Sequence, residues 1–277
     1  MMKSHLAKYT NLTQRVIVAI LGVTIIISAI YWQAWSYFVV FLIIIFFSLR
    51  EFYKLVGIAG FLPLTFWGSL TGILIYTFTF LVQMDLIEND IFYLVFPFSS
   101  IIYFIKLYKK SEVRPFANIA YTFLGILYVA VPFSLLHVIA FCTGKYQFEL
   151  VTGILLLTWA SDTGGYFAGT LFGKTKLFSR ISPKKSWEGF VGGAILTLVI
   201  AFLISNFVDI LPLWKWMTIG ILTVIAGTYG DLVESLFKRS INIKDSGESL
   251  PGHGGFLDRF DALLLSLPFI AAFLMLF

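Results

Sequence analysis

Long apolar runs almost free of charge recur along the chain, and they limit its fold more than any other feature. They cover 16–32, 35–49, 61–82, 91–105, 116–141, 150–169, 189–211, 213–237 and 262–277. A helix needs about 20 apolar residues to cross a hydrocarbon core of about 30 Å, and in lipid only a helix or a closed barrel satisfies its own backbone. Several runs reach that length. The second, fourth and last are short and call for a thinned bilayer or interfacial ends. Only 13% of the 277 residues are charged, against about a quarter in a soluble domain. The expected fold is therefore all-α, a polytopic helical membrane protein of about nine transmembrane helices.

The connections between runs give an orientation. With residue 1 in the cytoplasm, the inner segments hold every one of the 20 basic residues except Lys145 and Lys215. Cytoplasmic loops carry the excess of Lys and Arg, so the N-terminus is expected inside. Asp85, Glu88, Asp90, Glu149 and Asp209 fall on the outer connections, and an odd number of spans places the C-terminus outside. The first run is followed by Tyr31, Trp32 and Trp35 without a small-residue cleavage site, which reads as a retained anchor with an interfacial aromatic belt.

Cysteine and histidine offer little chemistry. Cys142 is the lone cysteine, which rules out a disulfide framework or a cysteine metal site within the chain. His5, His137 and His253 are too scattered for a zinc site, and His137 reads as a helix residue facing other helices. No repeat, low-complexity tract or soluble domain breaks the pattern. The longest polar stretches, around 173–188 and 238–261, are where function is expected.

Carboxylates inside apolar runs are the next constraint. Asp162 lies within LLLTWASDTGGYFAG, Asp231 within VIAGTYGDLVESLF, and Asp258 and Asp261 stand at the mouth of the last run. An ionised carboxylate at the bilayer centre costs about 2.5–3.5 kcal/mol, so each needs a partner, a wet cavity or a cation. Asp258 and Asp261, three residues apart, share one helix face; helix N-termini also favour Asp, which is the structural alternative. Asp231 and Glu234 repeat the spacing near the C-terminal end of their run, where the dipole explanation fails. Oxygen donors without Cys or His clusters suit a hard ion such as magnesium, bound by one or two carboxylates and substrate phosphates.

Cations and glycines surround these acids. Lys238, Arg239 and Lys244 follow the eighth run, and Lys184 and Lys185 stand in SPKKSWEG. They read either as ordinary inner-loop charge or as phosphate partners. In LPGHGGFLDRFD, Gly252, Gly254 and Gly255 flank His253 ahead of a helix, so backbone N–H groups can approach phosphate closely. Together with the carboxylates the loop fits a polyphosphate site. SDTGGYFAGTLFGK is also dense in glycine, but Gly165, Gly169 and Gly173 read as a helix-packing face, with Asp162 the exception.

The stretch 235–261, SLFKRSINIKDSGESLPGHGGFLDRFD, resembles the signature of the phosphatidate cytidylyltransferase (CDP-diacylglycerol synthase) family. It holds S-x-apolar-K-R, four residues, K-D, then H-G-G-apolar-x-D-R-apolar-D, with each fixed position present. SDTGGYFAGTLFGK and SPKKSWEG resemble further family motifs, so the likeness runs from about residue 161 onward. The chain then divides into an N-terminal helical region, 1–150, and a C-terminal catalytic region, 151–277, with its cytoplasmic signature loop at 235–261.

The resemblance implies transfer of CMP from CTP to phosphatidate, giving CDP-diacylglycerol and pyrophosphate, with magnesium and, in some members, potassium as a second metal. It implies Asp231 and Asp258 as metal ligands with Asp261 completing the centre. Lys238, Arg239, Lys244 and Arg259 would bind phosphate, and Asp245, His253 and Gly254 would shape the loop. An anionic lipid phosphate needs no protein nucleophile, only neutralisation and alignment, so the lack of a Ser-His-Asp set is expected. CTP is cytosolic and phosphatidate membrane-held, which sets the site on the cytoplasmic side of the cell (inner) membrane; no nucleic-acid partner is expected. A CTP-dependent polyprenol-type lipid kinase is the enzymatic alternative, and a secondary transporter the alternative of another class. The faces Gly165/Gly169 and Gly189/Gly193 pack helices either within the chain or across a homodimer.

Overall fold

The computed structural model describes residues 11–243 and 255–277. Among these residues ten α-helices follow one another: α1 Asn11–Trp32, α2 Ala34–Ile58, α3 Thr65–Gln83, α4 Val95–Tyr108, α5 Pro115–Gly125, α6 Val131–Ala140, α7 Phe148–Phe172, α8 Trp187–Phe207, α9 Leu213–Ser240 and α10 Leu257–Leu276. Among the described residues six helical segments are long and apolar enough to cross a membrane: 65–83, 89–108, 115–140, 187–207, 213–240 and 257–276. Large apolar side chains such as Trp32, Phe66, Phe96 and Phe207 stand exposed on the outside, as expected of an integral membrane protein whose solvent is lipid.

Several boundaries differ from the sequence reading, among them that of the short second run, whose helix continues to Ile58. The short fourth run gains a 3₁₀ turn, Asn89–Leu94, ahead of α4. The short last run gains length because LDRFD is already helical, so α10 has 20 residues. The polar stretch around 173–188 is not a plain loop. It folds as a two-stranded antiparallel ribbon, β1 Lys176–Phe178 and β2 Ser182–Ser186, with Lys176 opposite Ser186. The ribbon is the one sheet among the described residues, and it carries Lys184 and Lys185 to the start of α8.

The core lies where α2, α3, α6, α7 and α10 meet. Along α2 the buried positions Tyr37, Phe41, Ile45, Leu49 and Phe52 recur every three to four residues, while Val39, Ile43 and Phe46 face outward. Both faces are apolar, as a helix between protein and lipid requires. His137 sits fully buried among Tyr37, Phe38, Tyr76 and Phe80, which bears out its reading as a helix residue facing other helices. Lys106 departs from expectation: it is not loop charge but buried, donating to the Leu62 carbonyl at 2.6 Å and pairing with Glu112. Glu112 also accepts from Asn118 Nδ2 at 2.8 Å, so this end of α4 is tied to α5.

Two local features lie near the carboxylates of α7, α9 and α10. Between α5 and α6, Ile126–Ala130 forms a π-helical turn. Pro132 lacks an N–H and its ring crowds the carbonyl four residues back, that of Tyr128, so the helix widens there instead of breaking. The second is the α7–α8 pair. A Cβ on Gly164 would meet the Gly192 carbonyl at 2.6 Å, and one on Gly192 would meet Ala168 Cβ at 2.1 Å. Gly165 and Gly169 face Gly189 across the same seam, and Gly193 faces Ser161 and Gly165, so the predicted glycine faces pack against each other within the chain.

Candidate active site

The site starts from a close approach of two backbones. A Cβ on Gly230 of α9 would lie 2.4 Å from the Asp261 carbonyl and 3.0 Å from Ala262 Cα of α10. Only glycine permits that approach, and the next residue, Asp231, is thereby set against the Asp261 carboxyl. Asp261 Oδ1 also accepts from the Ala262 N–H at 2.8 Å. Asp231 is ion-paired with Lys185 from the ribbon. Ser186 then caps α8, accepting from Gly189 N at 3.2 Å, and Glu188 accepts from Lys174 N and Thr175 N at 3.1 and 3.0 Å. These bonds fix the ribbon, and with it Lys185, over the cleft.

The cleft has a volume of about 530 Å³. Asp162, Asp231, Lys184 and Lys185 supply its charge, the glycine seam forms a floor open to backbone contact, and Tyr166 and Phe190 add apolar wall. Asp162 faces Asp231, with Lys185 and Arg259 as the compensating cations.

A second cluster adjoins it. Lys238 Nζ lies 2.5 Å from Glu234 Oε2, one helical turn back, and 2.6 Å from Asp258 Oδ1. Asp258 Oδ2 accepts from Gly255 N at 3.1 Å, so Asp258 ties the first turn of α10 to α9. Glu234 is within electrostatic range of both Asp258 and Asp261 and joins the two clusters.

Of the residues singled out in the sequence, Asp162, Asp231, Asp261, Lys184 and Lys185 come together at the cleft, with Lys238, Asp258 and Gly255 beside it. Arg239 is exposed and donates to the Ile243 carbonyl at 3.3 Å. Arg259 is exposed near Asp162. Lys244, Asp245, His253 and Gly254 lie outside the described residues. Among the described residues no three of His, Cys, Asp or Glu gather as a metal-ligating group. The Asp231–Asp261 pair nevertheless fits magnesium by its chemistry: two oxygen-only donors in contact repel each other unless a cation or proton comes between them, and magnesium takes one or two carboxylates with phosphates.

Two residues at this place carry no sequence motif. Glu51 of α2 accepts hydrogen bonds from the start of α10. Tyr128, on the π-helical turn, has a buried hydroxyl without a hydrogen-bond partner among the described residues, and its charged neighbours are Asp261, Glu234 and Asp231. Pro132, four residues on, is the one sequence signal pointing to an irregular turn there.

Comparison with known proteins gives the same direction. A model of the cytidylyltransferase family matches residues 13–277. The phosphatidate cytidylyltransferase of Staphylococcus saprophyticus is 42% identical over 156 residues, 56% of this chain and 58% of that protein. That of Haemophilus influenzae is 43% identical over 129 residues, 45% of each chain. The enzyme of that name from Staphylococcus aureus strain COL is 37% identical over 156 residues, again 58% of its length. The matches thus span less than two thirds of each relative.

Proposed function

This chain belongs to the cytidylyltransferase family, and on that premise we propose that it transfers CMP from CTP to phosphatidate, giving CDP-diacylglycerol and pyrophosphate. The observation that carries the reading is the cleft itself, where Asp162, Asp231, Lys184 and Lys185 line one volume beside Asp261. The names of the relatives support the substrates.

In this reading a phosphate oxygen of phosphatidate attacks the α-phosphorus of CTP, and the bond to the pyrophosphate oxygen breaks. The nucleophile is anionic from the start, so the protein's task is to bring two anions into line and hold charge as it moves to the leaving group. Lys184 and Lys185 meet phosphate oxygens at the ribbon, and Lys185 exchanges its bond to Asp231 for one to substrate. Arg259 of α10 lies within electrostatic range of Asp162 and adds positive charge there. Lys238, fixed by Glu234 and Asp258, offers a preset positive charge at its edge. Tyr128 supplies a buried donor without a competing partner among the described residues. Asp231 and Asp261 would hold magnesium, which supplies charge neutralisation on the phosphates. Asp258, nominated with them by the signature, keeps Lys238 in place; potassium as a second metal stands as a variable for assay.

The protein is read as crossing the cell (inner) membrane nine times, N-terminus inside, with the cleft open to the cytoplasm where CTP is found. A homodimer is compatible with this reading. The glycine seam is already satisfied within one chain, so any dimer interface lies elsewhere.

The deciding experiment supplies purified protein in detergent with CTP, phosphatidate and magnesium and omits each in turn. Release of pyrophosphate and formation of CDP-lipid that need all three support the proposal. Release of CDP with phosphorylation of a lipid alcohol would turn it to a lipid kinase, and no turnover with folded protein and several acyl chains would sink it.

A further inference from the structure

We propose that Glu51 is a positioning residue, holding the first turn of α10 where Asp258 and Asp261 meet α9. The inference rests on the activity proposed above. Glu51 lies on α2, in the half of the chain without signature motifs, and is 4% exposed. Its Oε2 accepts from the backbone N–H of Phe256 at 2.7 Å and of Leu257 at 3.3 Å. A helix leaves the amides of its first turn without intrahelical acceptors, and α10 has no side-chain cap of its own at Phe256. The carboxylate therefore satisfies two of them, at the helix end where negative charge is favoured.

Aromatic contacts on both sides make this a grip instead of a lone bond. Phe47 stacks on Phe256 with centroids 5.1 Å apart, and Phe52 stacks on Phe237 at 5.5 Å. One stretch of α2 thus holds both the entry of α10 and the exit of α9. Asp258 directly follows the held residues and reaches Lys238 at 2.6 Å. A shift of this turn moves Asp258 and Asp261 together, relative to Lys238 and Asp231. A charged residue buried in a membrane protein marks a purpose, and here the carboxylate is matched to two amides that an apolar side chain would leave unpaired.

The test compares Glu51→Gln with Glu51→Ala. The Gln carbonyl still accepts from the two amides; Ala offers nothing. The expected result is a kcat within about fivefold of the parent for Gln and about 10- to 100-fold lower for Ala, the range for loss of an orienting partner, with KM for CTP moving less than kcat. Independently of activity, amide hydrogen exchange of a peptide spanning 255–261 is expected to speed up in Ala and not in Gln, while peptides of α7 and α8 stay unchanged. Parent-like kcat and exchange in Ala, or a Gln variant as impaired as Ala, overturns the inference. Should Ala fail to fold, Glu51→Asp takes its place, since the retracted carboxylate must then fall below Gln in kcat and protection. If the unmutated protein shows no turnover, the proposed activity fails while the exchange comparison still decides whether Glu51 holds α10.

Discussion

At the scale of single residues, the site is a set of charges each answered by a neighbour, and removing one side of a pair has a calculable effect. Asp231→Asn takes a charge from the Asp231–Asp261 pair and releases Lys185. Turnover is expected to fall at least about 100-fold, as for loss of one preorganised electrostatic partner, with the protein still eluting as a folded species in size-exclusion chromatography. Because Lys185 and Asp231 act as one unit, the double variant Asp231→Asn/Lys185→Gln is expected to lose little beyond the worse single variant. Additive losses in kcat would show that the two act separately. Tyr128→Phe separates stability from function in another way. A buried hydroxyl without a partner costs about 1–3 kcal/mol, so its removal is expected to leave Tm unchanged or raised while turnover drops. A lower Tm would mean that the hydroxyl is bonded in the resting protein and is not held for substrate.

At the scale of elements, glycine decides how near the helices come, and so where the carboxylates meet. Gly230→Ala drives a methyl group into the Asp261 carbonyl, a backbone atom that cannot rotate away. The cost expected for such overpacking is about 1–3 kcal/mol, accompanied by a loss of turnover as α10 moves off α9. A methyl group on Gly22 of α1 meets nothing within 4 Å among the described residues, so Gly22→Ala is expected to be neutral or slightly stabilising by helix propensity; thermal unfolding of the two variants side by side checks the contrast. Much at this scale is legible in the sequence. The apolar runs give the helices, the three-residue spacing of Asp258 and Asp261 gives their shared face, and SPKKSWEG gives the cations. What escapes has a common cause: it depends on backbone groups or on distant residues. Glu51 answers amides 205 and 206 positions away, and a backbone donor has no motif. The ribbon at 176–186 is too short to show alternation, and Lys106 looks like loop charge because nothing in its neighbourhood of sequence announces the carbonyl of Leu62. The ion pair of Asp258 with Lys238 is likewise beyond sequence spacing, which shows which face a carboxylate takes and not which side chain meets it.

At the scale of the whole molecule the open matter is which helices cross the bilayer: α1, α2 and α7 fall outside the qualifying segments, and α7 is the one that carries part of the site. Six segments qualify by length and apolarity, and α7 is not one of them, although it has 25 residues. At 1.5 Å per residue that is about 37 Å, ample for a crossing. It falls short on apolarity because its second half reads SDTGGYFAG, yet Ser161, Asp162, Gly165 and Gly169 of that stretch line the cleft and the glycine seam with α8, while Tyr166 and Phe167 stand exposed. An intramembrane Asp is tolerated when it faces such a cavity, so α7 is expected to span. The consequence is topological: Lys145 and Ser179, both exposed and on either side of α7, then lie on opposite sides of the membrane. Cys142 is the chain's lone cysteine, so a Cys142→Ala background makes single reporters clean. With a membrane-impermeant maleimide, Lys145→Cys is expected to label in intact cells and Ser179→Cys only after the membrane is opened. Labelling of both from the same side would remove α7 from the spans. Labelling of Ser179→Cys alone in intact cells would put the ribbon and its lysines outside, away from CTP, and the proposed reaction would lose its substrate.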